Sequence, residues 1–339
     1  MLEKIQYQEE TVTSKGYKEN YLRGVEKVIQ NREKEAHIKR EWYSRDIFQN
    51  PEKYREDLKQ MLGWPLNEKG ARTIPDAKIE KLAEEKHCTI YRVSIQVFEE
   101  FEITGLFFQK VGKKPLVIVQ HGGSGTPEMI SNLYGDTYNY NEMAERVMRE
   151  DVHVFAPQLL LWNKEHYQVE YDRIALDARL KRVGSSITAL EIYGIMRILD
   201  YFEVQDYVST FGMVGLSYGG FYTLYTTAID TRIQSAVSCA FFNKRSEIAW
   251  PDWTWYHSAE MFDDAEVASL IYPRKLCIEV GKEDDFFPVP YAIETFEKLQ
   301  KMCEKVGVDW VEFIVFEGGH EFCKDDEPIK KLAREILLP

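Results

Sequence analysis

The sequence predicts an α/β fold: a mainly parallel, doubly wound sheet preceded by an antiparallel hairpin and a helical N-terminal arm. Three observations carry this expectation. From Pro115 onward, apolar runs alternate with helical segments, the rhythm of βαβ units. One run, Pro115-Leu116-Val117-Ile118-Val119-Gln120, is apolar without alternation, as in a strand covered on both faces. Ahead of it, Thr89 to Phe98 and Glu102 to Phe108 alternate with period two around a Glu99-Glu100 turn, the pattern of a hairpin.

Residues 1–86 are rich in charge and predict the helical arm. Tyr21, Leu22, Val25, Val28 and Ile29 recur at helical spacing and are expected to bury one face. A second helix is expected from Pro51, which suits a first turn, to Met61, with Gly63-Trp64-Pro65-Leu66 breaking it. The arm is expected to pack on the main domain, to wall a substrate pocket, or to join two copies of the chain. Residues 87–339 form the expected catalytic domain. After the hairpin and the strand at Pro115, a helix is expected over Asn141–Glu150 and a strand over Val152–Ala156. A long helix follows from Gly184 to Phe202, with Ile187, Leu190, Ile195 and Ile198 on its apolar face. Strands are expected at Val208–Gly215, Ile233–Ala240, Leu276–Val280 and Trp310–Phe316. Phe221–Ile229, Val289–Val306 and Ile329–Leu337 read as helices. Residues 241–271 interrupt the rhythm with Trp250, Trp253, Trp255, Tyr256 and His257. So long an aromatic connection is expected to border the substrate pocket, Trp250, Trp253, Trp255 and His257 being the candidates, or else to cover the sheet.

The chain has 339 residues, 44% hydrophobic and 13% aromatic, enough for a large core. A net charge of -13 argues against nucleic-acid and anionic-membrane partners, which favour basic faces. Five cysteines, none closely spaced, suit a reducing compartment and offer no zinc pattern. Met1 to Gln6 lacks the apolar core of a leader peptide, and no run of 18 apolar residues occurs. A cytoplasmic protein acting on a small molecule, without cofactor or metal, is the expectation.

The chemistry centres on Gly215-Leu216-Ser217-Tyr218-Gly219, lying between an apolar run and a helical one. A serine with glycines two residues either side, on a strand-to-helix turn, is a nucleophile-elbow pattern. Side chains at Gly215 and Gly219 would meet neighbouring backbone in so tight a turn. A serine hydroxyl needs a base, and the base needs an orienting acid, in the chain order Ser, Asp or Glu, His. After Ser217 the strand Leu276–Val280 runs into Gly281-Lys282-Glu283-Asp284-Asp285, which leaves three acids open. Gly281 is expected to take a positive φ at the start of that turn. Of the histidines beyond Ser217, His320 follows a Gly-Gly loop at the last strand end, where open α/β sheets place their sites. Oxyanion donors are expected from the Tyr218 N–H and from the loop His121-Gly122-Gly123-Ser124-Gly125, Gly123 before Gly122, with His121 pinning the loop. Neither a P-loop nor a dinucleotide-binding glycine pattern is present.

Together these residues resemble the α/β-hydrolase superfamily, and within it the dienelactone-hydrolase-like and acetylxylan-esterase-like bacterial hydrolases. The resemblance covers about residues 50–337. It rests on Leu62-Gly63-Trp64-Pro65-Leu66, Gln120-His121-Gly122-Gly123, Met196-Arg197-Ile198-Leu199-Asp200-Tyr201, Gly215 to Gly220, Tyr272-Pro273-Arg274, Gly281 to Asp284 and Gly319-His320. It implies a serine hydrolase of carboxylic esters with no cofactor, in which Ser217 is nucleophile, Asp284 acid and His320 base. A serine peptidase or acyltransferase would use the same parts. A binding module that has lost catalysis would not need them all.

Overall fold

A computed structural model describes residues 5–70, 73–133, 137–162, 169–248 and 250–337. Nine strands form one mixed sheet: β1 (Ala77–Glu84), β2 (Thr89–Phe98), β3 (Phe101–Gln109), β4 (Lys114–Gln120), β5 (His153–Pro157), β6 (Val208–Leu216), β7 (Ile233–Cys239), β8 (Lys275–Gly281) and β9 (Val311–Phe316). Their order across the sheet is β1-β2-β3-β5-β4-β6-β7-β8-β9. The pairs from β1 through β3 to β5 are antiparallel, and all pairs from β5 to β9 are parallel. The helices are α1 (Thr11–Tyr43), α2 (Pro51–Leu62), α3 (Met143–Arg149), α4 (Arg173–Lys181), α5 (Ile187–Glu203), α6 (Tyr218–Ile229), α7 (Asp264–Ser269), α8 (Val289–Val306) and α9 (Glu327–Leu337), besides single turns.

Because side chains alternate along a strand, the apolar run of β4 feeds two cores at once. Leu116 and Ile118 join α2, α5, α6 and α8 on one face, while Val117 and Val119 join α3 and α9 on the other. Two-sided covering is why the central strands read as unbroken apolar runs. α5 starts at an N-cap, Ser186, whose hydroxyl accepts the Ala189 N–H at 3.1 Å. In the same way Asp172 caps α4, a helix the sequence pattern did not single out.

Two expectations about the arm are corrected. Ala77–Glu84 is a strand, not helix, pairing antiparallel with β2 at the sheet edge. Its residues are mostly exposed, so the apolar alternation that betrays an inner strand is missing. The stripe on α1 does not bury: Tyr21 is 77% exposed and Val28 62%. Helical periodicity shows that a face is apolar, not that something covers it. α1 instead docks by its C-terminal end, where Ala36 is buried and Arg40 reaches Asp263 and Glu266. α2 does pack, burying Tyr54, Leu58 and Leu62, and its Arg55 donates to the carbonyls of Ala228 and Leu270. Among the described residues, no helix is long and apolar enough to cross a membrane.

Candidate active site

Ser217 sits on the turn from β6 to α6 with φ 60° and ψ -121°, a region that strains any residue with a side chain. The turn closes because its flanks are glycines: a Cβ on Gly215 would overlap the Gly219 carbonyl, and one on Gly219 would overlap that of Gln120. The serine N–H is anchored to the Cys239 carbonyl at 2.9 Å. The hydroxyl therefore stands at the carboxyl end of the parallel sheet, ahead of the N-terminus of a helix.

Asp284 and His320 come from the turns after β8 and β9. The imidazole Nδ1 is 2.9 Å from Asp284 Oδ2. The other carboxylate oxygen accepts the backbone N–H groups of Phe286 at 2.8 Å and Phe287 at 2.9 Å, so the acid cannot turn away. Glu283 and Asp285 face solvent. The two turns are laced together by backbone bonds, Lys282 N–H to the Phe316 carbonyl and Glu283 N–H to that of Gly318. Gly281 does not have the expected positive φ. It is required for another reason, since a Cβ there would overlap the Gly319 carbonyl. Phe287 lies 5.6 Å from the His320 ring in a stacked arrangement, and Phe286, half in solvent, lies 4.9 Å away. Among the described residues no hydrogen bond yet joins Ser217 Oγ to His320, a contact that commonly tightens only around substrate.

The loop after β4 sorts the oxyanion candidates. Gly122 N–H is occupied, donating to the Tyr140 hydroxyl at 2.9 Å. Gly123 instead offers its carbonyl to the Trp162 N–H at 2.7 Å. Its own N–H has no acceptor among the described residues, and neither does the Tyr218 N–H, which begins α6. A Cβ on Gly123 would press the rings of Trp162 and Tyr218, at 3.1 and 3.4 Å. His121 is wholly buried. Its Nε2 accepts the Leu159 N–H at 3.1 Å, so the ring proton sits on Nδ1 and is donated to the Gly122 carbonyl at 2.8 Å. Burial pushes its pKa down to about 4, and the ring stays neutral as a fixed strut. The turn Tyr138–Tyr140 serves both halves of the site: Tyr140 holds Gly122, while Asn139 Nδ2 donates to the His320 carbonyl at 2.9 Å.

Behind Ser217 lies a buried polar network without a signature in the sequence. Arg173 bonds Asp252 at 2.8 Å and Glu191 at 2.9 Å, and the Tyr218 hydroxyl donates to Asp252 at 2.9 Å. The Tyr222 hydroxyl also bonds Glu191. Burial alone would lower the Arg173 pKa, but the Glu191 carboxylate more than reverses this. Burial, reinforced by the Asp252 carboxylate, pushes the Tyr218 phenol up. Arg173 also donates to the Leu160 carbonyl at 2.5 Å, and Glu191 accepts the Leu160 N–H at 3.1 Å. The network thus holds the Leu159–Trp162 loop, whose Trp162 N–H holds Gly123.

Of the aromatic insertion, Trp250 reaches the rim of the site, 5.6 Å from Tyr218, 4.9 Å from Trp162 and 5.7 Å from Phe287. Trp253 is buried against Phe221 and Phe241 yet also lies 4.5 Å from Tyr218 and 6.1 Å from Phe287, whereas Trp255 is buried against Phe221 and Tyr225 in the core. His257 lies apart on the surface, paired with Glu260, which also meets Lys39 and Arg32 of α1. Trp162, Phe286 and Phe287, which sequence spacing did not single out, complete the aromatic rim.

No family model matches the chain, and no curated protein does. Solved structures do. A Bacteroides fragilis protein assigned as an acetyl xylan esterase is 14% identical over 87% of this chain and 84% of its own, with a TM-score of 0.66. A glucuronoyl esterase from Solibacter usitatus is 14% identical over 84% and 91%, at 0.62. An acetyl xylan esterase from Paenibacillus sp. R4 is 15% identical over 86% and 94%, at 0.57. Identity at this level shows the fold alone: the chain has the α/β-hydrolase fold.

Proposed function

We propose that the chain is a carboxylic ester hydrolase working through an acyl-enzyme. Ser217 attacks the ester carbonyl as His320 takes the hydroxyl proton, and Asp284 holds the ring and steadies the imidazolium. The N–H groups of Tyr218 and Gly123 receive the oxyanion, each such donor being worth roughly 3–4 kcal/mol in known sites. His320 then protonates the leaving alcohol and activates water for deacylation. The observation that carries this reading is the partly buried Asp284–His320 hydrogen bond beside a serine on a nucleophile elbow. The esterase names of the structural neighbours support it. None of these steps draws on a cofactor, and five free cysteines suit a reducing compartment such as the cytoplasm. A fluorophosphonate probe should label Ser217, and a series of p-nitrophenyl esters of rising acyl length should be hydrolysed by the wild type and not by Ser217→Ala. Undiminished hydrolysis by the folded Ser217→Ala variant would overturn the proposal.

A further inference from the structure

We infer that the chain carries a second binding site, for a small amphipathic carboxylate, in a cavity between the Leu159–Leu160 loop, α4 and α5. The cavity measures about 950 Å³, at the upper end of small-ligand sites. Leu159, Leu176, Leu180 and Ile187 make its walls apolar, and the rim bears two guanidinium groups, Arg179 and Arg182. Both are exposed, and among the described residues neither has an acidic partner. The one acid in the wall among the described residues, Glu191, is committed to Arg173, Tyr222 and the Leu160 N–H. The cavity therefore presents apolar walls and an unbalanced positive rim, which complement an apolar body ending in an anion. Ser217, Tyr218, Gly123 and His320 are not in its wall. The site therefore holds its ligand independently of the acyl-enzyme chemistry.

Calorimetric titration with hexanoate, octanoate and decanoate tests this. Affinity should rise about three- to fourfold per methylene, and decanol should bind more weakly than decanoate. The surface double variant Arg179→Gln, Arg182→Gln should weaken decanoate about tenfold and leave decanol unchanged. Leu180→Trp, which fills the cavity, should abolish both. Wild-type enzyme labelled at Ser217 by a fluorophosphonate should bind decanoate as before. Equal affinities for decanoate and decanol, decanoate binding that survives Leu180→Trp, or binding lost on Ser217 labelling would each overturn the inference. The last result would assign the ligand to the catalytic cleft while leaving the esterase reading intact.

Discussion

Replacing Asp284 by asparagine should lower kcat by about 10²–10⁴, and the hydrogen bonds around the acid explain the size. The carboxylate uses one oxygen for two backbone amides, at 2.8 and 2.9 Å, and the other for His320 Nδ1–H. Asparagine has a single acceptor oxygen. If that oxygen stays with the Phe286 and Phe287 amides, the NH₂ meets Nδ1, which must then be unprotonated. The ring proton moves to Nε2, and the nitrogen facing the serine can no longer accept its proton. Flipping the amide rescues the tautomer but turns NH₂ hydrogens against two backbone N–H groups. Each hydrogen bond left unmade costs about 1–3 kcal/mol, so the productive rotamer lies roughly 2–6 kcal/mol uphill. At 1.4 kcal/mol per decade that is a loss of about 30-fold to 10⁴-fold, and the missing negative charge beside the imidazolium removes more from the lower bound. The assay is hydrolysis of p-nitrophenyl acetate, with thermal melts to establish folding. Asp285→Asn, on the exposed neighbour, should change kcat by less than about tenfold. A near-normal Asp284→Asn beside a crippled Asp285→Asn would refute the argument and move the acid by one residue.

Three more outcomes follow from other parts of the structure. Arg173→Met leaves Asp252 and Glu191 buried without their partner, and urea unfolding should show a loss of about 3–5 kcal/mol together with reduced kcat; an unchanged midpoint would contradict the assigned role. Glu279 is wholly buried and burial pushes its pKa up to about 7, as it does that of Asp264. The folded chain holds protons that the unfolded chain releases, so this contribution is complete below the ordinary carboxylate range and fades as pH rises toward about 7. Glu279→Gln should flatten the decline of unfolding free energy between pH 5 and 8, and a slope equal to wild type would count against it. Trp250→Ala should reorder the ester substrates, whereas Trp255→Ala should chiefly destabilise, by about 3–5 kcal/mol, as a buried aromatic does; a specificity change from Trp255→Ala alone would reverse these roles.

What the sequence made legible was what short-range pattern dictates. The β2–β3 hairpin, the two-faced central strands and the glycines around Ser217 each follow from the backbone geometry of a few neighbouring residues. The triad candidates could be ordered because strand ends bring them to one edge. What stayed hidden depends on contacts between distant segments. β1 is polar because an edge strand needs one partner only, and so it read as helix. The tryptophans of the insertion are alike in composition, and only packing separates Trp250 from Trp255. Tyr140, Asn139, Arg173 and Asp252 sit in unremarkable local sequence, and their roles exist only once remote loops meet. Gly281 is expected to take a positive φ in its turn and does not; the close passage of Gly319, which no local pattern shows, is what leaves no room for a side chain there.

The turn Tyr138–Tyr140 has a consequence for how this chain can diverge. Surface loops are where lengths usually drift and specificity changes. Here one side chain of the turn fixes the oxyanion loop and its neighbour fixes the histidine loop. An insertion within it would displace the Gly122 and His320 loops together, so descendants should inherit the turn at constant length.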